Sequence, residues 1–319
     1  MSQEIAKLTD NEITRELLNI VSDIDGELPA DAAYNIREDS GCAARHSTDN
    51  IAIVGKTDGL SGLDIFVKST TQGDRVFIPA CITKSNIDEL VYNDFHIEEG
   101  ADVTIVAGCG IHTDEDESSK HSGIHRFFVG KNAKVIYLEK HIGIGLGEGK
   151  RIIDPVTYVE LEEGAYLEME TSQIGGVDQS VRKTEGQLGE NAKLIVKEHI
   201  LTEGDQLATT DFKVDVNGEG AGVDLISRSV AKDTSHQEFR SVIVGNQRCT
   251  GHSACDAIIV GDGTVYAAPE LEANHPDAML IHEAAIGKIA GEQIVKLQTL
   301  GLTEEEAEEK IIAGFLSDH

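Results

Sequence analysis

"EEGADVTI", residues 98–105, recurs along the chain as GKNAKVIY (130–137), EEGAYLEM (162–169), GENAKLIV (189–196) and GEGAGVDL (218–225). Each copy sets Gly or Asn (Gly100, Asn132, Gly164, Asn191, Gly220) directly before an alanine. Those two residue types best tolerate a left-handed backbone. Apolar residues then alternate, at Val103 and Ile105, Val135 and Tyr137, Leu167 and Met169, Leu194 and Val196, Val223 and Leu225. The phrase reads as a tight turn feeding a half-buried strand. Successive copies lie 32, 32, 27 and 29 residues apart, too regular for an ordinary sandwich and too long for a hexapeptide β-helix, whose coil takes about 18 residues. One phrase per coil predicts a mainly β chain, a wide parallel, right-handed β-helix in which equivalent residues stack at about 4.8 Å. A sandwich with long hairpins is the alternative, but it gives no reason for the turn residues to repeat.

The ends differ from the middle. Residues 8–22 predict a helix with Ile13, Leu17, Leu18 and Val21 on one face, and Gly26 marks its end or the start of a linker. Near the other terminus Ile294, Leu297 and Leu300 recur at helical spacing up to Gly301. Thr303 and Glu306 then form a capping box for a last helix whose Ala307, Ile311 and Phe315 share a face. This hairpin either caps the β-helix or docks a partner. The expected organisation is a short helical segment and linker over 1–45, a β-helix core over 46–280 and a helical segment over 281–319.

With 319 residues, 40% of them hydrophobic, the chain can bury a substantial core. It carries 57 acidic against 27 basic residues, a formal charge of −30. That field repels phosphate backbones and anionic lipid, which argues against nucleic-acid or membrane partners. The charges are scattered, as expected of a solubilising surface. The opening MSQEIAKLTDNEITRELL has no apolar core of a signal peptide, and no stretch approaches the roughly 18 apolar residues of a membrane span. A soluble, cytoplasmic protein is expected, its five cysteines reduced and free for metal or sulfur chemistry.

Gly-rich HIGIGLGEGK (141–150) is not a P-loop, because Ile144 stands where the first glycine is required and Arg151 follows Lys150; nor is GxGxxG present. A flexible loop between coils is expected. HTDEDESSKHSGIH (112–125) gathers His112, His121 and His125 with four acids, a set able to hold a cation, but without apolar alternation it reads as a solvated loop. In CTGHSACD (249–256), Cys249, His252 and Cys255 would share a face on a helix. The following DAIIVGDG reads as a strand, however, and in an extended chain His252 points away from Cys255. Cys255 must then find partners on another coil. One coil further on lies the window 282–287, which opens with His282 and Glu283. Thiolate, imidazole and carboxylate together can hold iron or zinc; the alternative is a buried structural cysteine beside an unrelated histidine.

Residues 255–315, CDAIIVGD … IHEAAIGKIAGEQIVKLQTLGLTEEEAEEKIIAGF, resemble the C-terminal part of the SufB/SufD family of SUF iron–sulfur cluster assembly. The thiol-Asp before a strand, HEA-x3-K-I, and the ending built on EEEA and GF all have counterparts, although Leu300-Gly301 replaces the family's Arg-Gly. The resemblance implies a compact SufB-like scaffold, not itself an enzyme, that holds a transient iron–sulfur cluster. It implies Cys255 as the principal ligand, with Glu283 and His282 beside it; Cys249 and His252 are lesser candidates. It matches Cys109, in AGCGIHT, to the cysteine that accepts sulfur. The implied partners are a SufC-type ATPase docking around residues 288–317, a second copy or a SufB/SufD-type paralogue, a sulfur donor and recipient apo-proteins. Flavin is associated with SufB complexes, but nothing in this sequence identifies a flavin site. A SufD-like subunit without its own cluster, and a β-helix enzyme acting on polysaccharide, are the competing readings.

Overall fold

The computed structural model describes residues 11–25 and 28–317. The chain passes alternately between two long sheets. One contains β1 (Ala33–Glu38), β2 (Gly41–His46), β5 (Gln72–Ile82), β7 (Asp102–His112), β9 (Lys134–Ile144), β12 (Tyr166–Gln173), β14 (Lys193–Thr202), β16 (Gly222–Ala231), β18 (Thr250–Ile259) and β20 (Met279–Lys288). They lie in the order β2-β1-β5-β7-β9-β12-β14-β16-β18-β20. The other is built from β3 (Ile51–Gly55), β4 (Gly62–Val67), β6 (Asp88–Ile97), β8 (Ser119–Val129), β10 (Arg151–Ile153), β11 (Val156–Leu161), β13 (Gln179–Leu188), β15 (Leu207–Val216), β17 (His236–Gly245) and β19 (Thr264–Ala273). There β10 and β11, divided by Asp154 and Pro155, share the place between β8 and β13. Pairing is parallel except for the β1/β2 and β3/β4 hairpins, which begin the stack. This is the expected parallel β-solenoid. Its sheets start at Ala33 and end at Lys288, beyond the 46–280 expected for the core.

The repeated phrase is its corner. Gly100, Asn132, Gly164, Asn191 and Gly220 all have positive φ, between 54° and 74°. Their amides form a ladder, Gly100 donating to Lys131, Asn132 to Glu163, Gly164 to Glu190, Asn191 to Glu219 and Gly220 to Arg248. The alanines that follow, Ala101, Ala133, Ala165, Ala192 and Ala221, are each at most 1% exposed. A larger side chain at these positions would push successive coils apart. Within the repeated phrases the backbone comes closest at Gly218, where an added Cβ would lie 2.0 Å from the Gly189 carbonyl carbon. Gly218→Ala is therefore expected to cost about 2–3 kcal/mol, read as a lowered urea midpoint. Gly287→Ala, with no atom within 4 Å of the new carbon, is the neutral control.

Side chains alternate inward and outward along each strand, and the inward apolar set forms one continuous core that includes Phe95, Phe127 and Tyr137. Helix α1 (Glu12–Ser22), N-capped by Asn11, covers the outer face of β5, β7 and β9. Leu17 and Val21 are fully buried there. Residues 8–10 and Gly26, part of the helix expectation, lie outside the described residues. Helix α2 (Gly291–Gln298) buries no residue, whereas α3 (Glu304–Leu316) rests against β16. The Thr303/Glu306 capping box forms as expected. On α3 it is Ala307 and Ile312 that are buried, with Ile311 and Phe315 half-buried.

Two loop expectations need correction. Residues 119–129 are strand β8, with His121 and His125 pointing inward and buried. The alternation is present, but its inward positions are polar because the interior supplies them with partners. The glycine-rich stretch is not a free loop either. His141–Ile144 belong to β9, and Gly147 and Gly149 donate to the carbonyls of Thr113 and Glu115 on the coil beneath.

Candidate metal and sulfur site

Strand β18 carries Gly251, Ser253, Cys255 and Ala257 on its inner face, with Cys249 buried just before it. It pairs in register with β20, so that Ser253 meets His282, Ala254 meets Glu283 and Cys255 meets Ala284. In-register parallel neighbours point to the same side of a sheet. His282 therefore lies on the inner side with Cys255, two residues along, while Glu283 lies on the outer side. There Glu283 faces His252, whose Nε2 is 3.9 Å from its Oε2, and His252 Nδ1 in turn is 2.8 Å from Asp224 Oδ1. The structure thus divides the sequence candidates by face, with Cys249, Cys255 and His282 within and His252 and Glu283 without. Burial, then the charges of Glu198 and Asp256, push the Cys255 thiol up to about 12. Burial also raises Cys249. Both are protonated thiols that a metal would have to deprotonate on binding.

Cys109 lies between Gly108 and Gly110 on β7. The glycines face outward, where an added Cβ would meet Val21 and Leu17 of α1 at 2.9 and 2.6 Å, so they admit the helix. Cys109 faces inward, 2% exposed, and burial followed by Cys81 and Glu89 raises its thiol well above the ordinary range. Five strand spacings, about 24 Å, separate it from β18.

Between them the interior is polar. Glu139, Thr171, Glu198, Ser227 and Cys255 occupy one register row on successive strands of the first sheet. Arg182, from the opposite sheet, donates to Glu139 at 2.6 Å and approaches Glu198 at 3.4 Å. Thr210 and Ser227 each donate to Glu198 at 2.9 Å. Burial opposes ionisation of Glu139, yet His141 and Arg182 hold it well below the usual carboxylate range. For Glu198 burial prevails over Arg182, Ser227 and Thr210 and raises it. The sequence reading missed this network, whose Glu139, Thr171, Glu198 and Ser227 fall into one row only once the strand register is known.

On the outer surface Asp64, Asp94 and His96 bring ligand atoms within 4.8 Å of one another. Lys56 already bonds both carboxylates, at 2.7 and 2.8 Å, and Arg126 grips Asp94 through two bonds of 2.6 Å. Those cations stand where an ion would be needed.

The features of this β-solenoid are therefore buried thiols, an exposed imidazole on the Cys255 side of the last strand and a polar interior. Residues 85–315 match the family described as SUF system FeS cluster assembly, SufBD core domain, and the chain belongs to that family. An iron-sulfur cluster assembly SufBD family protein of Methanothermobacter thermautotrophicus is 30% identical over 263 residues, covering 79% of this chain and 62% of that protein. One from Archaeoglobus fulgidus is 29% identical, covering 85% and 72%, and one from Staphylococcus epidermidis 26%, covering 69% and 47%. The chain thus spans about 62% of the length of the Methanothermobacter relative. Among the described residues no helix is long and apolar enough to cross a membrane.

Proposed function

We propose that this chain is a non-enzymatic, SufB-like scaffold on which an iron–sulfur cluster is built and from which it is passed on. The observation that carries the reading is the shared inner face of Cys255 and His282 on the last two rungs of the sheet, in a family described by cluster assembly. A mixed thiolate and imidazole set holds a cluster less firmly than four thiolates, which suits transfer. Cys255 also favours this reading over a SufD-like role without cluster chemistry. Anaerobic reconstitution with Fe2+ and sulfide tests it: a charge-transfer spectrum with stoichiometric iron and sulfide is expected, and a colourless product overturns it.

The same end suits a second subunit, either another copy or a paralogue. Strands β19 and β20 are the last in their sheets, so each leaves one backbone edge unpaired. Tyr266, Met279 and Ile281 there are 52%, 64% and 57% exposed. A partner seated on this edge would enclose the His282 and Cys255 region and could add the ligands one chain lacks.

Docking of a SufC-type ATPase is proposed for α2 and α3, because α2 leaves Val295 and the following Leu300 58% and 75% exposed. Deleting residues 288–319 is expected to abolish co-purification with the ATPase while preserving the β-sheet circular dichroism. Undiminished co-purification would move the docking surface elsewhere. Cys109 is proposed as the acceptor of donor-delivered sulfur, a role separable from ligation because Cys109→Ser should spare clusters reconstituted from free sulfide.

A further inference from the structure

An aromatic ladder stands on the outer face of the second sheet. Phe66 on β4, His96 on β6 and Phe128 on β8 are register neighbours, and their rings stack with centroids 4.8 and 5.2 Å apart and planes within 13° of parallel. Phe66 is 44% exposed. The next rung of the row is Glu160 on β11, so the ladder ends at Phe128 beside a carboxylate-bearing residue instead of a fourth ring. Along the ladder runs a groove of about 380 Å³, lined by the three rings and by Glu98, Gly130, Glu160 and Glu162. Gly130 holds the place between Glu98 and Glu162 on successive coils, its amide bonded to Ile97 as the Glu162 amide is to Val129, and it puts no side chain into the groove.

The charge of this groove is one-sided. Glu98 is fixed in place, its Oε2 accepting from the Ser69 amide at 2.8 Å. Glu160 and Glu162 are exposed, and neither carboxylate forms a hydrogen bond or ion pair among the described residues. The cations nearby are committed elsewhere. Arg126 holds Asp94 through two bonds of 2.6 Å, and Lys131 bonds Glu163 at 3.0 Å, with Glu162 only a more distant charge. No lysine or arginine lines the groove. Rings and unpaired carboxylates together select one kind of side chain. An electron-rich ring face attracts a cation, and apolar rings accept the methylene stem that carries it. A guanidinium can lie flat on a ring and grip a carboxylate through two parallel bonds, which an ammonium cannot.

We propose that this groove binds an arginine on an extended basic segment of a partner protein, its stem against the aromatic ladder and its guanidinium against Glu160 and Glu162. The formal charge of −30 favours a basic partner here over a second copy of this chain. The volume, near the lower end for small-ligand pockets, suits one long side chain with its adjoining backbone. The groove lies on the sheet opposite Cys255, away from the β19 and β20 edges. It depends neither on the cluster reading nor on the subunit contact proposed for that end.

The test is calorimetric titration of the peptide acetyl-Gly-Ser-Arg-Ser-Gly amide into the full-length chain at low salt. One site should saturate. Glu160→Gln combined with Glu162→Gln should weaken it about 10-fold, and Phe128→Leu, which keeps an apolar side chain but no ring, about 3-fold. Glu304→Gln combined with Glu305→Gln makes the same change of charge on exposed positions of α3 and should leave the affinity unaltered. A peptide with citrulline for arginine keeps the shape without the charge and should not bind; one with lysine should bind more weakly than arginine. Failure to saturate would overturn the site. Equal affinity for lysine and arginine, or equal weakening by the two glutamate pairs, would also overturn it and leave only attraction to the general negative field. Sedimentation covers the other occupant: self-association abolished by Glu160→Gln with Glu162→Gln would give the groove to a second copy instead. Both glutamates are exposed, so their variants test the groove without threatening the fold.

Discussion

Cys255→Ser is expected to leave the protein folded and colourless after anaerobic reconstitution, with less than a tenth of the iron and sulfide bound by the unaltered chain. The substitution keeps size and shape at a position 2% exposed, so the solenoid should accept it. What it removes is a soft thiolate, the ligand type that selects iron–sulfur centres. His282→Ala should be the next most damaging change, because its side chain shares the inner face with Cys255 through the β18/β20 register. Glu283→Ala should do less in the isolated chain, since Glu283 stands on the outer face beside His252. Cys249→Ser should do little to ligation, for Cys249 precedes the β18/β20 pairing that brings His282 to the side of Cys255. Iron, sulfide and absorbance per folded chain provide the reading. Equal loss from Cys249→Ser and Cys255→Ser would mean a local two-cysteine site, and the division of ligands between coils would fall.

The legible part of this protein was its backbone repeat. A left-handed residue followed by a buried alanine has a steric cause that acts at every coil, so the five phrases revealed both the corner and the period. The side-chain chemistry was harder. Counting one coil from Cys255 reached the window containing His282 and Glu283, but a strand has period two and a one-residue difference changes the face. The register partner is Ala284, 29 residues on, which sends His282 inward and Glu283 outward. His121 and His125 were hidden for another reason. Their strand alternates polar residues inward, and a search for apolar alternation passes over it; their partners, Glu89 on neighbouring β6 and Tyr137 on β9 of the opposite sheet, share no local motif with them.

Arg182→Met should be among the most destabilising substitutions at neutral pH, at about 3–5 kcal/mol, because it strips the counter-charge from two buried carboxylates. Glu139 and Glu198 are 4% and 1% exposed, and Arg182 reaches both. In the unaltered protein the folded-state pKa of Glu139 lies below its ordinary 4.5. Its contribution is therefore fully present above that value and is lost as pH falls through the lower folded pKa. Without Arg182 burial is opposed at Glu139 by the histidines and at Glu198 by Ser227 and Thr210, so both carboxylates shift upward, and Glu198, already raised, destabilises the fold further as pH rises through the unfolded value towards the folded one. Urea midpoints measured from pH 4 to 7 should show the deficit of Arg182→Met widening with pH. A constant deficit would instead indicate lost packing of the arginine stem. Adding Glu139→Gln to Arg182→Met should recover part of the loss at pH 7 and little at pH 4, since the amide replaces a carboxylate that only the higher pH would force to ionise.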